Sequence, residues 1–79
     1  MKIEEFLNNV KLEKDCRCII NLNSFFRIIF QYDNDKQEII VFGLNKEELL
    51  RINRFNCSLK LIETIIKTIK DFYEKDFYK

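Results

Sequence analysis

The chain has 79 residues, of which 47% are hydrophobic and 34% are charged, and its formal net charge is +1. A chain of this length supports one domain with a core near the minimum size for stable folding, and its hydrophobic content argues against disorder. The near-neutral charge excludes, on bulk charge alone, a strongly basic nucleic-acid binder and a strongly acidic mimic of nucleic acid. We expect residues 1–79 to form a single domain.

The composition also bears on source and compartment. Isoleucine, phenylalanine, lysine and asparagine are abundant, whereas alanine, proline, tryptophan and histidine are absent. The abundant residues have A/T-rich codons, which favours a low-GC bacterium, or a phage or mobile element within one, as the source. The N-terminal segment carries Glu4 and Glu5 without an apolar run, and no apolar stretch is long enough to span a membrane. We therefore expect a cytoplasmic protein with reduced cysteines.

The first half of the chain predicts one helix followed by strands. Four apolar side chains recur at the spacing of one helical face and predict a helix over about residues 2–12: Ile3, Phe6, Leu7 and Val10. Turn-forming residues at Asn23-Ser24 and Asp33–Lys36, and then Gly43, separate three β-rich runs. These runs predict a meander of antiparallel strands over about residues 16–22, 25–32 and 37–42.

The predicted sheet is apolar on both faces. Side chains alternate along a strand, so a sheet with one wet face should be polar on that side. The inner face would carry Cys16, Cys18, Ile20, Leu22, Phe26, Ile28, Phe30, Tyr32, Ile39 and Val41. The outer face mixes polar residues with five large apolar ones: Ile19, Phe25, Ile29, Ile40 and Phe42. Each of the five would forfeit roughly 1.5–3 kcal/mol if left in water, so a helix, a second copy or another protein should cover them.

The second half predicts two helices. Asn45 and Glu48 have capping-box spacing, and Leu44 and Leu49 can form a hydrophobic staple, which predicts a short helix over about residues 46–53. Residues 54–56 would break it, and an apolar arc on one side predicts a long helix over about 58–77. The expected fold is α+β: an N-terminal helix, a three-stranded antiparallel sheet, then one short and one long helix (αβββαα).

No pattern in the sequence predicts catalysis. Histidine, the commonest general acid or base, is absent. Asp33 and Asp35 lie in a predicted turn, where aspartate is favoured for conformational reasons. Cys16, Cys18 and Cys57 lack the number and spacing of zinc ligands, so the cysteines are expected to be structural. We expect no enzyme activity, no metal and no cofactor.

The order of elements, in a chain of this size, resembles that of some small phage-encoded anti-CRISPR proteins. The resemblance lies in the helix near Ile3, the meander from Cys16 to Phe42 and the helices that follow. It implies a protein that binds a CRISPR effector complex and blocks its DNA-binding channel. Such inhibitors commonly carry dense acidic surfaces, whereas this chain is near neutral, so the expected mechanism is steric occlusion or capture of a protein surface.

The leading hypothesis is a non-enzymatic protein-binding inhibitor that acts by stoichiometric occlusion of a host defence complex. Its expected contact residues are the five apolar residues of the outer face and the hairpin acids Asp33, Asp35 and Glu38. One alternative is a homodimer or adaptor that buries the same face. The other is a small nucleic-acid-binding regulator that uses a basic corner between the last two helices, formed by Arg51, Arg54 and Lys60.

Overall fold

A computed structural model describes residues 1–22 and 26–77 of the chain. Its elements in chain order are α1 (Ile3–Lys11), β1 (Cys16–Asn21), β2 (Arg27–Asp33), β3 (Glu38–Phe42), β4 (Glu48–Asn53), a 3₁₀ helix (Arg54–Asn56) and α2 (Leu59–Phe77). The α+β class is confirmed. The predicted turn at Asn23-Ser24 lies outside the described residues.

The four strands form one antiparallel sheet in the order β1-β2-β3-β4. Cys18 pairs with Phe30 and Phe30 with Val41, so these three side chains share one face. Ile19 pairs with Ile29 and Ile29 with Phe42 on the opposite face. The predicted division of residues between the two faces is therefore confirmed for the described part of these strands.

The core lies between the inner face and both helices. Its buried apolar residues are Phe6, Val10, Cys18, Ile28, Phe30, Tyr32, Ile39, Val41, Ile52 and Ile62. The ring of Phe6 in α1 lies 6.4 Å from that of Phe30 in β2, and Ile62 of α2 is fully buried in the same cluster. Both helices thus pack on one side of the sheet, and they also contact each other.

The predicted short helix over residues 46–53 is wrong, because this segment forms β4. Leu50 pairs with Val41 and Ile52 with Ile39, so residues two apart in β4 share the inner face. Pairing with β3 satisfies backbone groups that would otherwise form an open sheet edge. An isolated helix of eight residues has no comparable compensation, because helix nucleation is costly.

The β3–β4 turn explains why the capping pattern at Asn45 and Glu48 misleads. The Lys46 N–H donates to the Gly43 carbonyl at 3.1 Å, and the Gly43 N–H donates to the Glu47 carbonyl at 2.9 Å. Lys46 has a φ of 62°. A tight turn that ends in one left-handed residue is a common hairpin connection. Asn45 is thus a turn residue and donates its N–H to the Glu47 carboxylate at 2.7 Å.

Helix α2 confirms the predicted long helix. The Ser58 hydroxyl accepts a hydrogen bond from the Leu61 N–H at 3.1 Å, which caps the first turn. Near the other end, the Tyr73 hydroxyl accepts from the Leu44 N–H at 3.1 Å and thereby joins α2 to the β3–β4 turn. Leu59 and Phe72 are exposed, so the buried arc is narrower than the apolar arc of the sequence.

The turn assignment predicts the effect of a glycine at position 46. We expect Lys46→Gly to raise the free energy of unfolding by about 0.5 kcal/mol, because relief of left-handed strain exceeds the entropic cost of glycine. The same change at Lys67, an exposed residue of α2, should lower it by about 1 kcal/mol. Urea denaturation of both variants measures this, and a loss of stability in Lys46→Gly would contradict the hairpin.

Candidate protein-binding face

One face of the sheet is open in the described part of the chain. We define the outer face as the side chains that point away from α1 and α2. By strand register these are Arg17, Ile19, Asn21, Arg27, Ile29, Gln31, Asp33, Glu38, Ile40, Phe42, Glu48, Arg51 and Asn53. Since both helices pack on the inner face, no described element covers the outer one.

An apolar row crosses the outer face. Ile19, Ile29 and Phe42 are direct cross-strand neighbours on β1, β2 and β3. Ile19 is 41% exposed, and Ile29 and Phe42 are partly exposed. Ile40 differs, because it is only 8% exposed between its cross-strand neighbours Gln31 and Arg51. The apolar row is therefore the part of this face most available to a partner.

Charged side chains flank the apolar row on β3 and β4. The Arg51 guanidinium donates to the Glu48 carboxylate at 2.7 Å and to Glu38 at 3.4 Å. These contacts lower the pKa of Glu48 and raise that of Arg51, chiefly through the hydrogen bond between the two. Arg51 lies across the strand from Ile40, and Glu48 from Phe42. Because the sequence predicts a helix over residues 46–53, it does not place Glu48 and Arg51 on the outer face; strand pairing does.

Two opposite charges lie at the ends of β2. Arg27 is exposed and forms no ion pair with any other described residue. Asp33 accepts N–H donations from Asp35 at 3.0 Å and Lys36 at 3.4 Å through one carboxylate oxygen, which stabilises the β2–β3 turn. Asp33 likewise has no cationic partner in the described chain. The outer face thus has a basic and an acidic end along the strand direction.

The predicted contact residues fall into three groups. Ile19, Ile29, Ile40 and Phe42 lie together on the outer face, whereas Phe25 lies outside the described residues. Asp33 and Glu38 pair directly across β2 and β3 at one end of this face. Asp35 is an exposed residue of the β2–β3 turn. The four described apolar residues thus share one face with Asp33 and Glu38.

The predicted basic corner is dispersed in the structure. Arg51 lies in β4 between two carboxylates, and the Arg54 guanidinium pairs with Glu13 at 2.8 Å. The hydrogen bond to Glu13 raises the pKa of Arg54. Lys60 is an exposed residue of the first turn of α2. Because both arginines already have carboxylate partners, these residues do not form a free basic patch.

The cysteines are free thiols in the protein interior and at its margin. The Cys18 Sγ–H donates to the Met1 carbonyl at 3.0 Å, and the Cys16 Sγ–H donates to the Phe6 carbonyl at 3.8 Å. Burial raises the pKa of all three thiols, that of Cys57 to about 11. Across residues 1–22 and 26–77, no group of three cysteine or acidic side chains could hold a metal ion.

Comparison with known proteins supplies no relative for this chain. No protein-family model, no curated protein and no solved structure matches it. In the portion of the chain that the structure describes, no helix is both long and apolar enough to cross a membrane.

The pKa of Cys57 predicts a pH dependence of stability. Between its ordinary value of 9.0 and its folded value of about 11, the unfolded chain loses the thiol proton while the folded chain keeps it. The contribution of this thiol is therefore complete below pH 9 and is lost as the pH rises towards 11. We expect Cys57→Ala to have a shallower alkaline fall in the free energy of unfolding than wild type, measured by urea denaturation. Ser58→Ala is the control with the thiol intact, and equal slopes in wild type and Cys57→Ala would contradict the assignment.

Proposed function

We propose that this protein is a non-catalytic protein-binding module and that the outer face is its binding surface. The observation that supports the proposal is the contiguous apolar row of Ile19, Ile29 and Phe42 on a sheet face that no described helix covers. Because these side chains are only partly buried, each forfeits part of the roughly 1.5–3 kcal/mol that full burial supplies. Contiguous exposed apolar residues with a polar rim are typical of interaction sites.

The charge pattern supports a protein rather than a nucleic acid as the partner. An apolar row bordered by charges of both signs has the arrangement of a protein–protein interface, with an apolar centre and a polar rim. A nucleic-acid site would need several free cations along one surface, whereas Arg51 and Arg54 are paired with carboxylates. The alternative of a nucleic-acid-binding regulator therefore has less support.

The more specific form of the proposal is an inhibitor of a host defence complex. The size of the chain and its order of one helix, a β-meander and a final long helix resemble those of small anti-CRISPR proteins, with the strand β4 in place of the predicted short helix. In this form the outer face, with Asp33, Asp35 and Glu38 beside it, would occlude a protein surface of a CRISPR effector. No chemistry of its own is needed, because occupancy of that surface suffices.

Site-specific photocrosslinking in the native cell tests the binding face. A benzophenone amino acid replaces Ile19 on the outer face or, as the matched control, Lys67 on the exposed side of α2. We expect the position 19 probe to trap a protein, either a second copy or another chain, and the position 67 probe to trap none. Equal or absent crosslinking at the two positions, in variants with wild-type circular dichroism, would contradict the proposal.

The inhibitor form is tested with a purified CRISPR effector from a low-GC bacterium. We expect the protein to block DNA cleavage at about one copy per effector and Ile19→Asp to abolish the block, because a carboxylate replaces an apolar contact. Lys67→Asp, with a charge change on the opposite side of the molecule, should inhibit as wild type does. Full cleavage at saturating protein would exclude that effector as the target.

A further inference from the structure

The outer face has opposite charges at fixed positions on one strand. Arg27 and Asp33 are six residues apart on β2, which places them about 20 Å apart on the same face. That distance is too great for them to pair within one chain, and neither has an ion-pair partner among the described residues. A partner with the reverse order of charges over the same distance would satisfy both, and a second copy of this chain has that order.

Twofold symmetry leaves two simple ways to stack this face on its own copy. With the axis parallel to the strands, β1 of one copy lies over β4 of the other, and β2 over β3. By register, Arg17 would then lie over Arg51 of the other copy, and Asp33 over its Glu38. By symmetry, like charges would meet at four places, so this arrangement is unfavourable.

With the axis perpendicular to the strands and passing near Phe30, each strand lies over its own copy in the reverse direction. Arg27 of each chain then lies over Asp33 of the other, because the two residues are equally distant from position 30. The same operation places Arg51 over Glu48 of the other copy, since these flank the same axis on β4. Opposite charges meet at four places in this arrangement.

In this arrangement the apolar row also packs against side chains that can cover it. The row of Ile19, Ile29 and Phe42 lies over the adjacent row of the second copy, which comprises Arg17, Gln31 and Ile40. The aliphatic stems of arginine and glutamine can pack on apolar side chains while their polar ends reach the rim. Aligned stacking of two twisted sheets about 10 Å apart is a common way to bury such faces.

We propose that a second copy of this chain occupies the outer face, in a twofold dimer with Arg27 of each chain paired to Asp33 of the other. The inference rests on the proposed function, because it names a second copy, in place of a host complex, as the partner of the same face. Four strands about 20 Å long present roughly 400 Å² in projection, so two faces bury on the order of 1,000 Å² of accessible area. This is the low end for specific interfaces, and we expect a dissociation constant of about 1–100 µM.

Sedimentation equilibrium from about 5 to 500 µM tests the dimer across the expected range. We expect wild type to dimerise and Arg27→Asp and Asp33→Arg each to weaken association at least tenfold, because each variant opposes like charges. Mixing the two variants should restore association, since one chain then carries two acids at these positions and the other two arginines. A face that bound only a different protein would not show this rescue on mixing the two variants.

Three controls separate the interface from folding. Lys67→Asp on α2 should dimerise as wild type does. Asp33→Asn keeps an oxygen acceptor for the Asp35 and Lys36 N–H groups and should weaken association with little loss of thermal stability. Circular dichroism of each variant verifies that the hairpin is intact.

A monomeric wild type at the highest concentration, or failure of the folded variants to associate on mixing, would overturn the dimer. The proposed function fails separately, when the position 19 probe traps neither a second copy nor another protein. A position 19 probe that traps only a different protein keeps the binding module and excludes the dimer.

Discussion

The alternation of side chains along the strands, together with the docking of both helices on one face, is the constraint on which the structure depends. The inner face buries Phe30, Ile39 and Val41 against α1 and α2. By the same alternation Ile19, Ile29 and Phe42 lie on the outer face, which no described helix covers. The chain has two helices to place, and packing both on one side of the sheet concentrates its core there.

Strand β4 contributes residues both to the core and to the outer face of the sheet. It pairs with β3 and adds Ile52 to the core. On the other side it adds Glu48 and Arg51, so the apolar row ends beside an ion pair on β4, which is an edge strand of the sheet. The Tyr73 hydroxyl bonds to the β3–β4 turn and links this hairpin to α2. The β3–β4 hairpin therefore contributes to the core, to one edge of the sheet and to the candidate binding face.

The elements with long periodic patterns were predictable. Helix α2 has 19 residues and α1 has 9, and each repeats its apolar side chains at helical spacing. The residues that became β4 form a short segment in which Leu49, Leu50 and Ile52 satisfy a helical spacing as well as a strand spacing. Its capping pattern decided the prediction, although pairing with β3 decided the structure. The one glycine, Gly43, was a local signal of a turn between two strands.

The sequence by itself determined which residues share a sheet face, because alternation is a local property of an extended chain. It also determined the outer-face residues Ile19, Ile29, Ile40 and Phe42 and the absence of histidine chemistry. Only the tertiary structure decided that residues 48–53 pair as a strand and that both helices lie on one side. These outcomes depend on contacts between residues distant in sequence, so the open face and its β4 charges emerge only when the chain is folded.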